Sequence, residues 1–137
     1  MNKLSIILLT IFSIGVISFF STGCKKDSPK VTEFIITVDS VKHADTINVG
    51  EAFETNYYAS IGNSDCYEFS KVENEFGTNL IEVTLIGKFT ERDNCQPGNQ
   101  YLNPATVNFT DLTAGDWKLK VLQPEGISAL ESFVHVK

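Results

Sequence analysis

The sequence predicts an all-β fold, an antiparallel β-sandwich of seven or eight strands, and three observations predict it. Beyond residue 30, apolar residues recur with a period of two. Clusters of Gly, Asn, Asp, Ser and Pro interrupt that alternation at short intervals. No segment of the same region shows the 3.6-residue period of an amphipathic helix.

Taken in order, Phe34, Ile36 and Val38 alternate with Ile35, Thr37 and Asp39, which predicts a strand over 31–39 that stops at the polar cluster 40–45. Thr46 to Val49 predicts a short extended piece, and Gly50 a turn. Phe53, Thr55, Tyr57, Ala59 and Ile61 share one face of the next strand, which Gly62-Asn63-Ser64-Asp65 closes. A strand over 66–72 and a loop over 73–79 around Gly77 follow. Ile81, Val83 and Leu85 then oppose Glu82 and Thr84 in a longer strand that reaches Thr90. A polar loop spans 91–103. Val107 and Phe109 oppose Asn108 and Thr110, the chain turns over 111–116, and Trp117, Leu119 and Val121 oppose Lys118 and Lys120 in the cleanest alternation of all. Pro124-Glu125-Gly126 turns once more before a last strand over 129–136.

Short strands at this spacing fit a sandwich of immunoglobulin-like type, with an up-and-down barrel as the alternative. Two stretches strengthen that choice. Asn48-Val49-Gly50-Glu51 resembles the "VGE" that opens an early strand in bacterial immunoglobulin-like domains. The run from Leu112 to Val121 resembles their "L-x-x-G-x-aromatic-x-V-x-V" hairpin, with Trp117 where Tyr is more usual. The resemblance spans roughly residues 31–137 and implies a scaffold, not an activity.

The N-terminal segment is of a different kind. Met1-Asn2-Lys3 is a short positive start, Leu4 to Phe20 is mostly apolar, and Ser21-Thr22-Gly23 are small residues leading to Cys24. That order marks a secretory signal, with an uncleaved membrane helix as the alternative. The site resembles the lipobox of bacterial lipoproteins, whose cysteine receives a diacylglyceryl group before the signal is removed. Ser21 replaces the usual Leu, a relaxation seen in Bacteroidetes lipoproteins. The resemblance implies lipidation of Cys24, palmitate-type chains among the anchors, and residence in the cell envelope at the outer membrane, on its periplasmic face or the cell surface. Residues 1–23 are then signal peptide, 24–30 the lipidated cysteine with a polar tether, and 31–137 the folded domain.

Charge narrows the partners. The whole chain carries −6, and removal of Lys3 with the signal leaves 10 basic against 17 acidic side chains. Nucleic acid is excluded as a partner, because phosphate binding needs clustered Lys and Arg. Only Lys25, Lys26 and Lys30 form a small basic patch, beside the anchor. The membrane is engaged through lipid on Cys24, and an envelope protein or glycan is the expected further partner.

With Cys24 given to lipid, Cys66 and Cys95 are an even pair in an exported chain, which predicts a disulfide. Neither has the C-x-x-C or histidine spacing of a metal or redox site, so no metal and no cofactor are expected. His43 and His135 lie far apart in sequence. The serines sit in no strained glycine elbow, neither histidine has a sequence partner, and no carboxylate pair stands out from the acids. No catalytic residue and no enzyme activity are expected.

The candidate contact surface is the 91–103 loop, held at Cys95 and displaying Arg92, Gln96, Asn99, Gln100, Tyr101 and Leu102. The leading expectation is a lipid-anchored binding or structural module of the envelope. The alternatives are a small inhibitor of a protease or other enzyme, using the loop around Cys95 as a plug, and less favoured, a hydrolase. Asp39-Ser40-Val41 and Asp45-Thr46-Ile47 resemble the Asp-(Ser/Thr)-apolar acceptor of O-glycosylation in exported Bacteroidetes proteins, which would modify Ser40 or Thr46.

Overall fold

The structure, a computed structural model, describes residues 28–137. The expected export signal, Cys24 and Lys25 to Asp27 lie outside the described residues. The rest is all-β, with no helix among the described residues. Nine strands follow one another: β1 Val31–Ile35, β2 Val38–His43, β3 Thr46–Ile47, β4 Phe53–Ser64, β5 Tyr67–Gly77, β6 Leu80–Thr90, β7 Pro97–Phe109, β8 Gly115–Val121 and β9 Leu130–Val136.

Two sheets face each other across one core. The smaller has the order β2-β4-β7, all antiparallel. The larger runs β6-β8-β9-β3, with β5 along one side of β6. On its other side β6 is shared: β1 pairs antiparallel with residues 86–90, and β8 pairs parallel with residues 80–83. A second parallel contact joins Thr46 and Ile47 of β3 to His135 and Val136 of β9.

Three expectations change. The sandwich has nine strands, because the single strand expected over 31–39 divides: the chain leaves the larger sheet after Ile35 and joins the smaller one at Val38. Ile36 stays pinned at the crossing by donating its amide to Leu85 O at 2.8 Å. The larger sheet is mixed, not antiparallel throughout, because β8 reaches β6 by a crossover through β7 in the opposite sheet. The stretches 62–64, 73–77 and 97–103, expected as turns and loops, are strand. Their side chains are largely exposed, so no dry face imposes an alternation, and backbone pairing alone holds them.

The alternation does locate the core. Phe53, Thr55, Tyr57 and Ala59 of β4 turn inward against Ile81, Val83 and Leu85 of β6, Trp117, Leu119 and Val121 of β8, and Val134 and Val136 of β9, all buried. Each large apolar side chain so buried contributes roughly 1.5 to 3 kcal/mol. The polar atoms within this core are paired. Trp117 donates its indole N–H to Thr113 O, four residues upstream, at 2.8 Å. Thr55 donates to Val107 O at 3.1 Å and accepts from the Tyr57 hydroxyl at 2.9 Å, the only assignment open to one hydroxyl proton beside a carbonyl. Gly87 lets the Phe34 ring lie on β6, since a Cβ there would stand 2.6 Å from Phe34 Cζ.

Candidate functional site

At one end of the sandwich, Cys66 follows β4 and Cys95 sits in the connection between β6 and β7. They form the expected disulfide, with their Cα atoms 5.5 Å apart. Asp65 organises the surroundings. Its Oδ1 accepts the Gln96 amide at 2.8 Å, its own amide donates to Gln96 O at 3.0 Å, and its carbonyl accepts from Arg92 Nη2 at 2.6 Å. Arg92 Nη2 also stands 3.5 Å from Asp65 Oδ1, and Arg92 Nε 3.3 Å from Cys66 Sγ. Two of the six expected contact residues, Arg92 and Gln96, are thus used in closing the loop. Asp65, Cys66 and Cys95 bring their donor atoms within 4.8 Å of one another, but both sulfurs are spent in the disulfide, so they offer no thiolate to a cation.

The other four, Asn99, Gln100, Tyr101 and Leu102, lie on strand β7 rather than on a loop. They divide by face. Leu102 packs against the core, opposite Ala59. Tyr101, opposite Ser60, points out of the sheet and is 61% exposed, and its hydroxyl accepts from Asn99 Nδ2 at 2.9 Å. Gln100 bonds locally, Nε2 donating to Gly98 O. Register shifts in the β4–β7 pairing mark β-bulges that re-aim successive residues along this arm.

Tyr101 borders a shallow depression of about 350 Å³ on the outer face of the three-stranded sheet, lined also by Asp39, Tyr58, Ala59, Leu102 and Asn103. Tyr58 is half-buried, and Lys42 Nζ stands 5.1 Å above its ring. The face continues through Asn56, whose Oδ1 accepts from Thr106 Oγ1 at 2.6 Å and whose Nδ2 donates to Glu54 at 3.1 Å. Phenols, amides and hydroxyls thus alternate on this face with the charged groups of Asp39, Lys42 and Glu54. Tyr58 escaped sequence reasoning, although its place in the polar half of the 53–61 alternation marks it as outward.

The opposite face of the molecule is different. Glu75, Glu82, Lys120 and Glu131 form one row across β5, β6, β8 and β9. Lys120 meets Glu82 at 2.6 Å and Lys118 meets Glu131 at 2.7 Å. Hydrogen bonding to Glu82 holds the Lys120 ammonium above its usual range, and Glu73 does the same for Lys71. Solvated pairs of this kind add little stability; they keep a flat sheet soluble.

The two histidines do not form a joint site; each has its own partner. His135 Nδ1 lies 2.6 Å from Asp116 Oδ1 on the charged face. His43, at the end of β2, reaches across the flank between the sheets: Nε2 is 2.7 Å from Ser132 Oγ of β9, and Nδ1 is 2.9 Å from Ala44 O. Its ring is seated edge-on against Phe53, 5.1 Å between centroids. At the other end of the flank, Gln123 Oε1 accepts the Val38 amide at 3.0 Å and Nε2 donates to Val38 O at 3.1 Å. Between these two stitches lies an open slot of about 280 Å³ lined by Asp39, Ser40, Val41, Val121, Leu130, Glu131 and Ser132. Ser132 is legible in the sequence only as an exception, a polar residue at the inward parity of Val134 and Val136.

Comparison with known proteins finds no match for this chain among family models, curated proteins or solved structures.

Proposed function

We propose that this chain is a lipid-anchored lipoprotein of the cell envelope, at the outer membrane, whose sandwich serves as a binding module through the outer face of its three-stranded sheet. The observation that carries the binding half is the pair Tyr58 and Tyr101 beside one depression, with Tyr101 largely exposed and outside the core. A phenol offers broad contact area and a directed hydrogen bond at little entropic cost. The surrounding amides and hydroxyls, with charges of both signs among them, suit a polar partner, either a glycan or a protein of the envelope. The anchor half rests on the order of charged start, apolar run and small residues before Cys24. An immunoglobulin-like ancestry is supported by the single core between two sheets and by β3 running parallel to the last strand; the parallel contact of β6 with β8 departs from that pattern.

The test has two arms. Cys24→Ser should abolish palmitate labelling and release the protein from the membrane fraction; continued labelling overturns the anchor. Immobilised protein should retain an envelope component that Tyr101→Ala loses. Retention unchanged by Tyr101→Ala and Tyr58→Ala together overturns the face, and protease treatment of the extract separates protein from glycan.

A further inference from the structure

The expectation of no catalytic group rested partly on neither histidine having a sequence partner. His43 has a spatial one, 89 residues away. A carbonyl oxygen can only accept, so the contact from Nδ1 to Ala44 O places the imidazole proton on Nδ1. Nε2 is then the bare nitrogen, and the 2.7 Å contact is Ser132 Oγ–H donating to it. A hydroxyl on a bare imidazole nitrogen, with the ring oriented by a third group, is the arrangement that activates a serine. Here the third group is a backbone carbonyl, and Phe53 holds the ring from the side.

We infer that Ser132 and His43 form a nucleophile and general-base pair able to take an acyl group from a small, neutral ester bound in the slot between β2 and β9. Three features of the flank fit that substrate. Val41, Val121 and Leu130 supply apolar wall in a space of about 280 Å³, enough for a short acyl chain. Asp39 in the lining puts negative charge there and disfavours anionic substrates, while Glu131 is balanced by Lys118 at 2.7 Å. A donor for the developing oxyanion is also at hand. His135 and Lys137 turn their amides toward the β3 side, donating to Asp45 O and Ile47 O. By the alternation of a strand, Phe133 turns its amide the same way, where no strand of the larger sheet continues beside β9. The amide following the nucleophile is thereby directed to the open edge.

In the acylation step Ser132 Oγ bonds to the ester carbonyl carbon as its proton passes to His43 Nε2. The carbon–alkoxy bond then breaks, and the departing alkoxide takes that proton from Nε2, leaving as the alcohol. Water, giving its proton to Nε2, attacks the acyl carbon; Ser132 Oγ leaves and recovers the proton as the acid is released. The other imidazole proton stays on Nδ1 throughout, hydrogen-bonded to Ala44 O.

The test is labelling of the full-length chain in detergent with a neutral fluorophosphonate, read by peptide mass mapping, beside hydrolysis of 4-nitrophenyl butyrate. One phosphonyl adduct is expected, on Ser132, and His43→Gln should slow its formation by roughly a hundredfold or more. Ser132→Ala should bring hydrolysis to the rate of buffer. Wild-type protein alone can overturn the inference: no adduct, or an adduct on other serines with Ser132 unmodified, ends it whether or not the variants fold. A Ser132 adduct that forms equally fast in folded His43→Gln also overturns it, because the histidine then supports the strand without activating the serine.

Discussion

Tyr67 lies against the backbone of Gly62 so closely that a Cβ on the glycine would stand 2.2 Å from Tyr67 Cγ. The ring is fixed on its other sides by Phe34, 5.9 Å away edge to face, and by Phe89 at 4.8 Å. These aromatics seal the sandwich at the disulfide end, where the polar arms of β4 and β7 supply little apolar surface.

Gly62→Ala is therefore expected to cost about 1 to 3 kcal/mol, the range of an overpacked site. Urea unfolding should show a lower midpoint with an unchanged slope. In a Tyr67→Gly background the same change should cost far less, since the ring and the Cβ 2.7 Å from the new methyl are both gone; equal cost in both backgrounds would show that the contact is not the cause.

Joining residues 29 apart, the Cys66–Cys95 disulfide constrains the unfolded chain. The double variant Cys66→Ser, Cys95→Ser should lose roughly 3 to 4 kcal/mol. Amide exchange should rise first at Gln96, whose hydrogen bond to Asp65 depends on the loop being held. Protection there that survives the double variant would assign the loop's order to Asp65 and Arg92 instead.

Burial pushes the Tyr57 phenol up to about 12 from 10. Because the folded value is the higher, the stability given by the neutral phenol is fully present below pH 10 and is lost as the pH climbs through 10 toward 12. Two pH units correspond to about 2 to 3 kcal/mol at most. Denaturant unfolding at pH 9 and pH 11.5 should show the loss, and Tyr57→Phe should remove this tyrosine's share of it. An identical alkaline slope in Tyr57→Phe would place the titration elsewhere.

Gln123 stands in for a neighbouring strand at Val38, which is buried and has both backbone groups paired to the Gln123 carboxamide. Gln123→Ala should cost about 1 to 3 kcal/mol, because a buried amide and carbonyl lose their partner. It should also bare the β2 edge, which sedimentation will register as association at high concentration. Gln123→Glu keeps the acceptor but not the donor and should fall between the two.

What the sequence determined by itself was which residues go inside. The alternation of Trp117, Leu119 and Val121, and that of Phe53, Thr55, Tyr57 and Ala59, names the buried faces, because one residue in two must leave water when a sheet has one dry side. The even count of cysteines after Cys24 likewise identifies the pair that is joined. Tertiary structure alone decided the rest. It split the first run at Ile36, set β8 parallel to β6, and extended β4, β5 and β7 through polar stretches whose backbone pairing leaves no periodic mark. It also brought His43 to Ser132 and Gln123 to Val38 across the open flank, contacts between residues 89 and 85 apart. A local pattern records the solvent each side chain will meet; which strand edges become neighbours depends on how two sheets close over one core, and no short stretch of the chain contains that information.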